Sequence, residues 1–221
     1  VFAALPSLKN DHASFFRIDT ENEYREPGFE LYTPAEAFYE DFDFYHRSAD
    51  SAGAYFSPLH QVHFNTTPVH KPLRMKIRCE GLPDSISGKA FVVLVDDTGM
   101  PRYAGGTYAG GWIETSVMEF GNYTVGCDTL PPVIVPLTIK DNALTDTGEI
   151  RFKITDDFSG IRSYRGMIDG EWALFEYDPR YARLSYRIDT RRIGTGKRHT
   201  LELRVTDRVD NTSVYQATFW K

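Results

Sequence analysis

Residues 149–178 read EIRFKITDDFSGIRSYRGMIDGEWALFEYD. The first seven alternate: Ile150, Phe152 and Ile154 fall on one side of an extended chain and Arg151, Lys153 and Thr155 on the other. That is the period-two pattern of a strand with one dry face. The last thirteen, GMIDGEWALFEYD, set four carboxylates and a tryptophan around Gly170, and two readings compete. Paired carboxylates beside an aromatic ring are what glycoside hydrolysis needs, one acid protonating the leaving group while the other attacks or activates water. Asp-Gly between apolar runs is also the strongest short-range hairpin signal. The hairpin reading takes SYRGMI and WALFEYD as arms and Asp169-Gly170 as the turn, because Asp tolerates a left-handed backbone. It makes the acids structural, and no catalytic residue is assigned anywhere in the chain.

The alternation continues downstream. Leu184, Tyr186 and Ile188 share one face of LSYRID, Leu201, Leu203 and Val205 one face of HTLELRVTD, and Tyr215, Ala217 and Phe219 one face of YQATFW. Short strands separated by turn residues over about 90 residues predict a two-sheet sandwich of immunoglobulin type, without the cysteine-tryptophan-cysteine pattern of antibody domains. Asp156, Asp157, Asp207 and Asp210, in TDDFSG and TDRVDN, read as strand-ending turns; a calcium ion is the alternative use of such oxygens.

Upstream, GCDTLPPVIVP at 126–136 places three prolines between two patterned regions and predicts a semi-rigid joint. Ahead of it, RMKIRC, KAFVVLV and NYTVGC are strand-like. The fold expected is all-β: two tandem β-sandwich domains over 29–130 and 131–221, the C-terminal one immunoglobulin-like. Residues 1–28 form an N-terminal extension whose strands complete a neighbouring domain, and Arg47 to Ser57 form a flexible loop. Cys79 and Cys127 both point inward, as a disulfide if their strands are neighbours and as buried thiols otherwise. The doubled Gly-Gly of YAGGTYAGGW supplies positive φ for a turn or bulge and lacks the pattern of a phosphate loop.

Composition narrows the function classes. The 221 residues are 41% hydrophobic and 14% aromatic, which suits pleated, half-buried surfaces, and the net charge is −6. No basic stripe exists to neutralise phosphates, so nucleic acid is not an expected partner. The longest purely apolar run, Phe91 to Val95, falls far short of the roughly 20 residues of a membrane-spanning helix, so no transmembrane segment is expected. Without an initiator Met or a charged-then-apolar leader, the start reads as the interior of a longer product or a trimmed one.

Candidate chemistry is sparse. His46, His60, His63 and His70 lie in one segment and His46 with Asp50 makes an HxxxD spacing. A catalytic zinc, however, needs three protein ligands and an open position, and His60 and His63 on an extended strand project from opposite faces. No metal site is assigned. In the hairpin reading Trp172 is a sandwich-core or flanking aromatic; as the alternative, Tyr108, Trp112 and Trp172 are the candidates for stacking on sugar rings.

The stretches FELYTPAEAFYEDFDF, HFNTTPVHKPLRMKI, GNYTVGCDTLPPVIVP, FKITDDFSGIRSYRGMIDGEWALFEYDP and HTLELRVTDRVDN together resemble the C-terminal, non-peptidase region of the M23 (lysostaphin-like) zinc metallopeptidases of Bacteroidetes, over about residues 14–221. The resemblance implies an upstream peptidase domain on the same polypeptide carrying the zinc and cutting peptide cross-bridges of peptidoglycan. This chain would then be an accessory region that positions or shields that domain, with no cofactor of its own, exported to the periplasm or outer surface of a Gram-negative cell. It departs from the family's ligand motifs: HRSAD lacks the internal glycine of HxGxD, and the chain has no HxH. No catalytic residue carries over. The competing expectation is a stand-alone module binding a surface glycan.

Overall fold

The structure is a computed structural model that describes residues 13–51, 55–145 and 147–221, and of Ala13 only the backbone. The chain divides into two compact units, Val1–Asp128 and Thr129–Lys221. Their regular elements are almost all strands.

The first unit contains β1 (Ala13–Phe16), β2 (Asn22–Glu26), β3 (Phe29–Thr33), β4 (Phe42–Ala49), β5 (Leu59–Val62), β6 (Leu73–Arg78), β7 (Ala90–Val95), β8 (Pro101–Tyr103), β9 (Thr107–Ala109), β10 (Trp112–Val117) and β11 (Gly121–Cys127). They form a six-stranded sheet, β1-β4-β5-β11-β7-β8, and a five-stranded sheet, β2-β3-β6-β10-β9. Side chains from both sheets meet in one core rich in aromatic rings, including Phe16, Phe29, Phe44 and Tyr123. Phe16 stacks on Phe44 at 4.4 Å between centroids, and Phe38 meets Phe42 edge-on at 4.9 Å. The second Gly-Gly pair turns the β9–β10 hairpin, with φ of 57° and 86° at Gly110 and Gly111, as a type I′ turn requires.

Three expectations are refined here. Over residues 13–28 the expected extension is two strands of the first unit itself, β1 against β4 and β2 against β3; residues 1–12 lie outside the described residues. Arg47 to Ala49, expected in a loop, belong to β4 and pair with β5, while residues 52–54 of that loop lie outside the described residues. The cysteines are free. Cys79 follows β6 and Cys127 ends β11, in different sheets, so no ladder brings them side by side. Burial pushes the Cys79 thiol up to about 11 and raises that of Cys127, which makes both poor nucleophiles.

The second unit contains β12 (Val133–Pro136), β13 (Ala143–Leu144), β14 (Glu149–Thr155), β15 (Ile161–Ile168), β16 (Glu171–Ala173), β17 (Glu176–Asp178), β18 (Arg183–Arg187), β19 (Arg198–Asp207) and β20 (Thr212–Trp220). One sheet runs β12-β14-β18-β17 and the other β13-β20-β19-β15-β16. All pairings are antiparallel except that of β13 with β20. The two sheets face each other as a β-sandwich. Ile150, Phe152, Ile154, Leu184, Leu203, Val205 and Phe219 are wholly buried between the two sheets. Each large apolar side chain so buried contributes roughly 1.5–3 kcal/mol.

Candidate functional site

The GMIDGEWALFEYD stretch folds around its turn. Asp169 and Gly170 take φ of 52° and 78°, the left-handed pair of a two-residue hairpin, and Met167 faces Trp172 across the β15–β16 ladder. The second arm is shorter than expected. It stops at Ala173, and Glu176–Asp178 pairs instead with β18 in the opposite sheet. Phe175, at the crossing, explains the glycine at 166: a Cβ there would lie 2.3 Å from the Phe175 ring.

Each acid that suggested catalysis, save the exposed Glu176, has a structural partner. Asp169 Oδ2 lies 2.6 Å from His199 Nδ1, and its Oδ1 accepts the Thr200 amide at 2.8 Å. The other ring nitrogen of His199 lies 2.9 Å from the Gly194 carbonyl. A buried imidazole facing two acceptors favours its doubly protonated form. Burial alone would lower the His199 pKa, but the Asp169 carboxylate and the Gly194 carbonyl outweigh it and the value is raised. The Asp169 carboxyl, also penalised by burial, is nonetheless held below its usual range by His199 and the Thr200 amide. Glu171 pairs with Arg192 at 3.1 Å and Asp178 with Arg180 at 3.3 Å. Nearby, Asp156 caps its own turn through the Gly160 amide at 2.6 Å, and the wholly buried Asp207 caps another through the Asn211 amide at 2.8 Å. Asp210, left-handed at φ 66°, pairs with Arg162.

The histidines of the first unit are arranged differently. His46, His60 and His63 are all buried, whereas His70 and Asp50 are exposed. His46 Nδ1 lies 3.0 Å from Glu26 Oε2, and His46 Nε2 lies 3.2 Å from His60 Nδ1. With the carboxylate accepting from Nδ1, a neutral His46 must accept at Nε2, so His60 donates from Nδ1 and carries a lone pair on Nε2. That buried Nε2 has no hydrogen-bond partner among the described residues. Phe29 stacks on both rings, 4.2 Å from His46 and 5.0 Å from His60. Burial, reinforced by His46, brings His60 down to about 3, and burial lowers His46 against the pull of Glu26. His63 does not project away from the core as an extended strand would have it. Its φ of 49° turns the ring among Phe42, Phe44 and Phe120, and burial brings it down to about 4. His46 and His60 therefore converge, and among the described residues no third histidine, cysteine or carboxylate ligand atom joins both.

The family model of the Zu5-like domain matches residues 13–128, just over half of the chain and all of the described first unit. The chain belongs to the Zu5-like domain family. No curated protein matches the chain. Among solved structures, a β-1,2-glucanase from Parabacteroides distasonis aligns at 12% identity with a TM-score of 0.22, covering 95% of this chain and 38% of the glucanase. The chain thus spans well under half the length of that structure. Among the described residues no helix is long and apolar enough to cross a membrane.

Tyr108 and Trp112 do not share a platform. Within the Zu5-like domain, Tyr108 shares a rung with the buried Ile113 and packs against the core, while Trp112, the next residue along β10, points to the other side of the sheet and is half-buried. Trp172, in the C-terminal unit, is 56% exposed. Sequence reasoning missed Trp220. It follows the wholly buried Phe219 on β20 and is 44% exposed, and the alternation of YQATFW already placed it outward.

Proposed function

We propose that this chain is a non-catalytic recognition region of an exported cell-envelope protein, positioning or shielding a peptidase domain of the M23 type on the same polypeptide. The observation that carries the reading is the commitment of its chemistry-bearing groups to structure. Asp169 and His199 clamp a hairpin to a loop, and Glu26, His46 and His60 tie the two sheets of the Zu5-like domain together. A general acid needs a proton it can release to substrate, and each of these groups already shares a hydrogen bond with another of them. The tandem sandwiches and the stretches resembling the peptidase-associated region add support. The test is the intact mass and N-terminal sequence of the native polypeptide. A product much larger than 25.2 kDa, with HxGxD and HxH motifs upstream, is expected; a native product of that mass contradicts the accessory role. A second reading, a glycan-binding module, is favoured by the exposure of Trp172.

A further inference from the structure

The outer face of the β13-β20-β19-β15-β16 sheet has a composition that the core does not explain. On β19 it presents Arg198, Thr200, Glu202 and Arg204, alternating with buried residues, and on β20 Val214, Gln216, Thr218 and Trp220, alternating with half-buried and buried ones. Glu202 faces Met167 on one side and Gln216 on the other, and Trp172 stands beyond Met167 on β16. A depression of about 660 Å³ lies over the middle of this face, lined by Asp141, Met167, Thr200, Glu202, Gln216 and Thr218. That volume falls within the range of small-ligand sites.

We infer that this face binds a neutral oligosaccharide, with Trp172 and Trp220 as stacking platforms and the Glu202–Gln216 pair as its hydrogen-bonding floor. The inference rests on the reading of the chain as a recognition region and names its ligand class.

Trp172 and Trp220 lie three strands apart and four residues apart along the ladder, a diagonal of ~20 Å at ordinary sheet spacings. Two indoles that far apart, with a polar floor between them, suit an extended chain of several sugar rings. Gln216 Nε2 donates to Glu202 Oε2 at 2.9 Å, so a planar amide and a planar carboxylate lie side by side and offer donors and acceptors to neighbouring hydroxyls. Charge is balanced locally. Glu202 lies 3.6 Å from Arg204, and Arg198 stands close enough to Asp141 to lower its carboxyl pKa, after the larger effect of the Thr218 amide and hydroxyl. A neutral ligand needs no net field. The central strands are already paired on both edges, so a peptide strand has no edge to extend there.

The experiment titrates the full chain with neutral tetrasaccharides of glucose, xylose, mannose and N-acetylglucosamine, followed by calorimetry and tryptophan fluorescence. At least one is expected to bind and quench. Trp172→Ala and Trp220→Ala should each weaken it about tenfold or more, Gln216→Ala about tenfold, and Trp112→Ala not at all. Unchanged circular dichroism melts for the exposed-site variants separate lost binding from lost folding. Failure of all four sugars to bind, or binding that survives all three face variants, overturns the inference. If no sugar binds while the native product carries an upstream peptidase, the glycan site falls and the accessory role stands. If a sugar binds to a native product of 25.2 kDa, the site stands and the accessory role falls.

Discussion

In the Zu5-like domain His46 and His60 face each other 3.2 Å apart against Phe29, whereas in the C-terminal unit His199 sits between the Asp169 carboxylate and the Gly194 carbonyl. Burial is comparable, 7% and 2% exposed against 5%, yet the pKa values move in opposite directions, down for His46 and His60 and up for His199. What differs is the acceptor count. His199 has an acceptor at each nitrogen, which favours the doubly protonated ring, while the His46–His60 pair shares one carboxylate and ends in a nitrogen with no partner among the described residues. Burial therefore does not set the charge of a histidine by itself; the oxygens buried with it do.

The largest effect expected from this contrast is acid sensitivity confined to one unit. His60 and His63 have folded values near 3 and 4, and His46 is also lowered. These groups favour the folded state fully above the unfolded value of about 6.5, and that contribution is lost as pH falls towards the folded values. At pH 4 the loss is on the order of 3 kcal/mol for each of His60 and His63. Hydrogen exchange read separately for residues 13–128 and 129–221 should show protection collapsing first in the Zu5-like domain between pH 6 and 4. Equal loss in the two units would break the comparison.

How much of this was legible in the sequence differs between the units in the same way. Ile150, Phe152, Ile154, Leu201, Leu203 and Val205 all face the core as their alternation predicts, because each long strand repeats one face many times. In the Zu5-like domain the strands are shorter, and partners such as β3 and β6 lie some forty residues apart, so sequence-neighbour arguments fail. The left-handed His63 has no sequence signal at all. Asp169 was legible as a turn residue, but its partner His199 lies 30 residues away, beyond any local pattern. Trp172, read from the hairpin as a core or flanking aromatic, is instead 56% exposed; Tyr108 was not legible as core-facing until its rung with Ile113 was known.

A smaller effect probes the packing that the hairpin depends on. Gly166→Ala drives a methyl into the Phe175 ring and should cost roughly 1–3 kcal/mol, seen as a lower denaturant midpoint for the C-terminal unit and no change in the Zu5-like domain. A neutral result would mean that Phe175 does not need this close approach.

The smallest expected effect sharpens the charge contrast. The His199 value is raised, so its contribution is present below the unfolded value and lost as pH rises through the folded one. Asp169→Asn keeps a residue that tolerates the left-handed turn but removes the carboxylate. It should cost at most about 1 kcal/mol near pH 6 and abolish the alkaline loss. A variant with an unaltered pH profile would place the imidazolium elsewhere.

The most direct measurement is a set of imidazole 15N spectra of the full chain from pH 8 to pH 5, with and without zinc. The structural account predicts that His199 keeps its second proton to higher pH than a free imidazole, that His46 and His60 stay neutral to lower pH than a free imidazole, and that zinc changes neither. Reversible protonation of His46 or His60 near pH 6.5 in the folded chain, or a shift of both on adding zinc, would contradict it and return these histidines to the chemistry of a site.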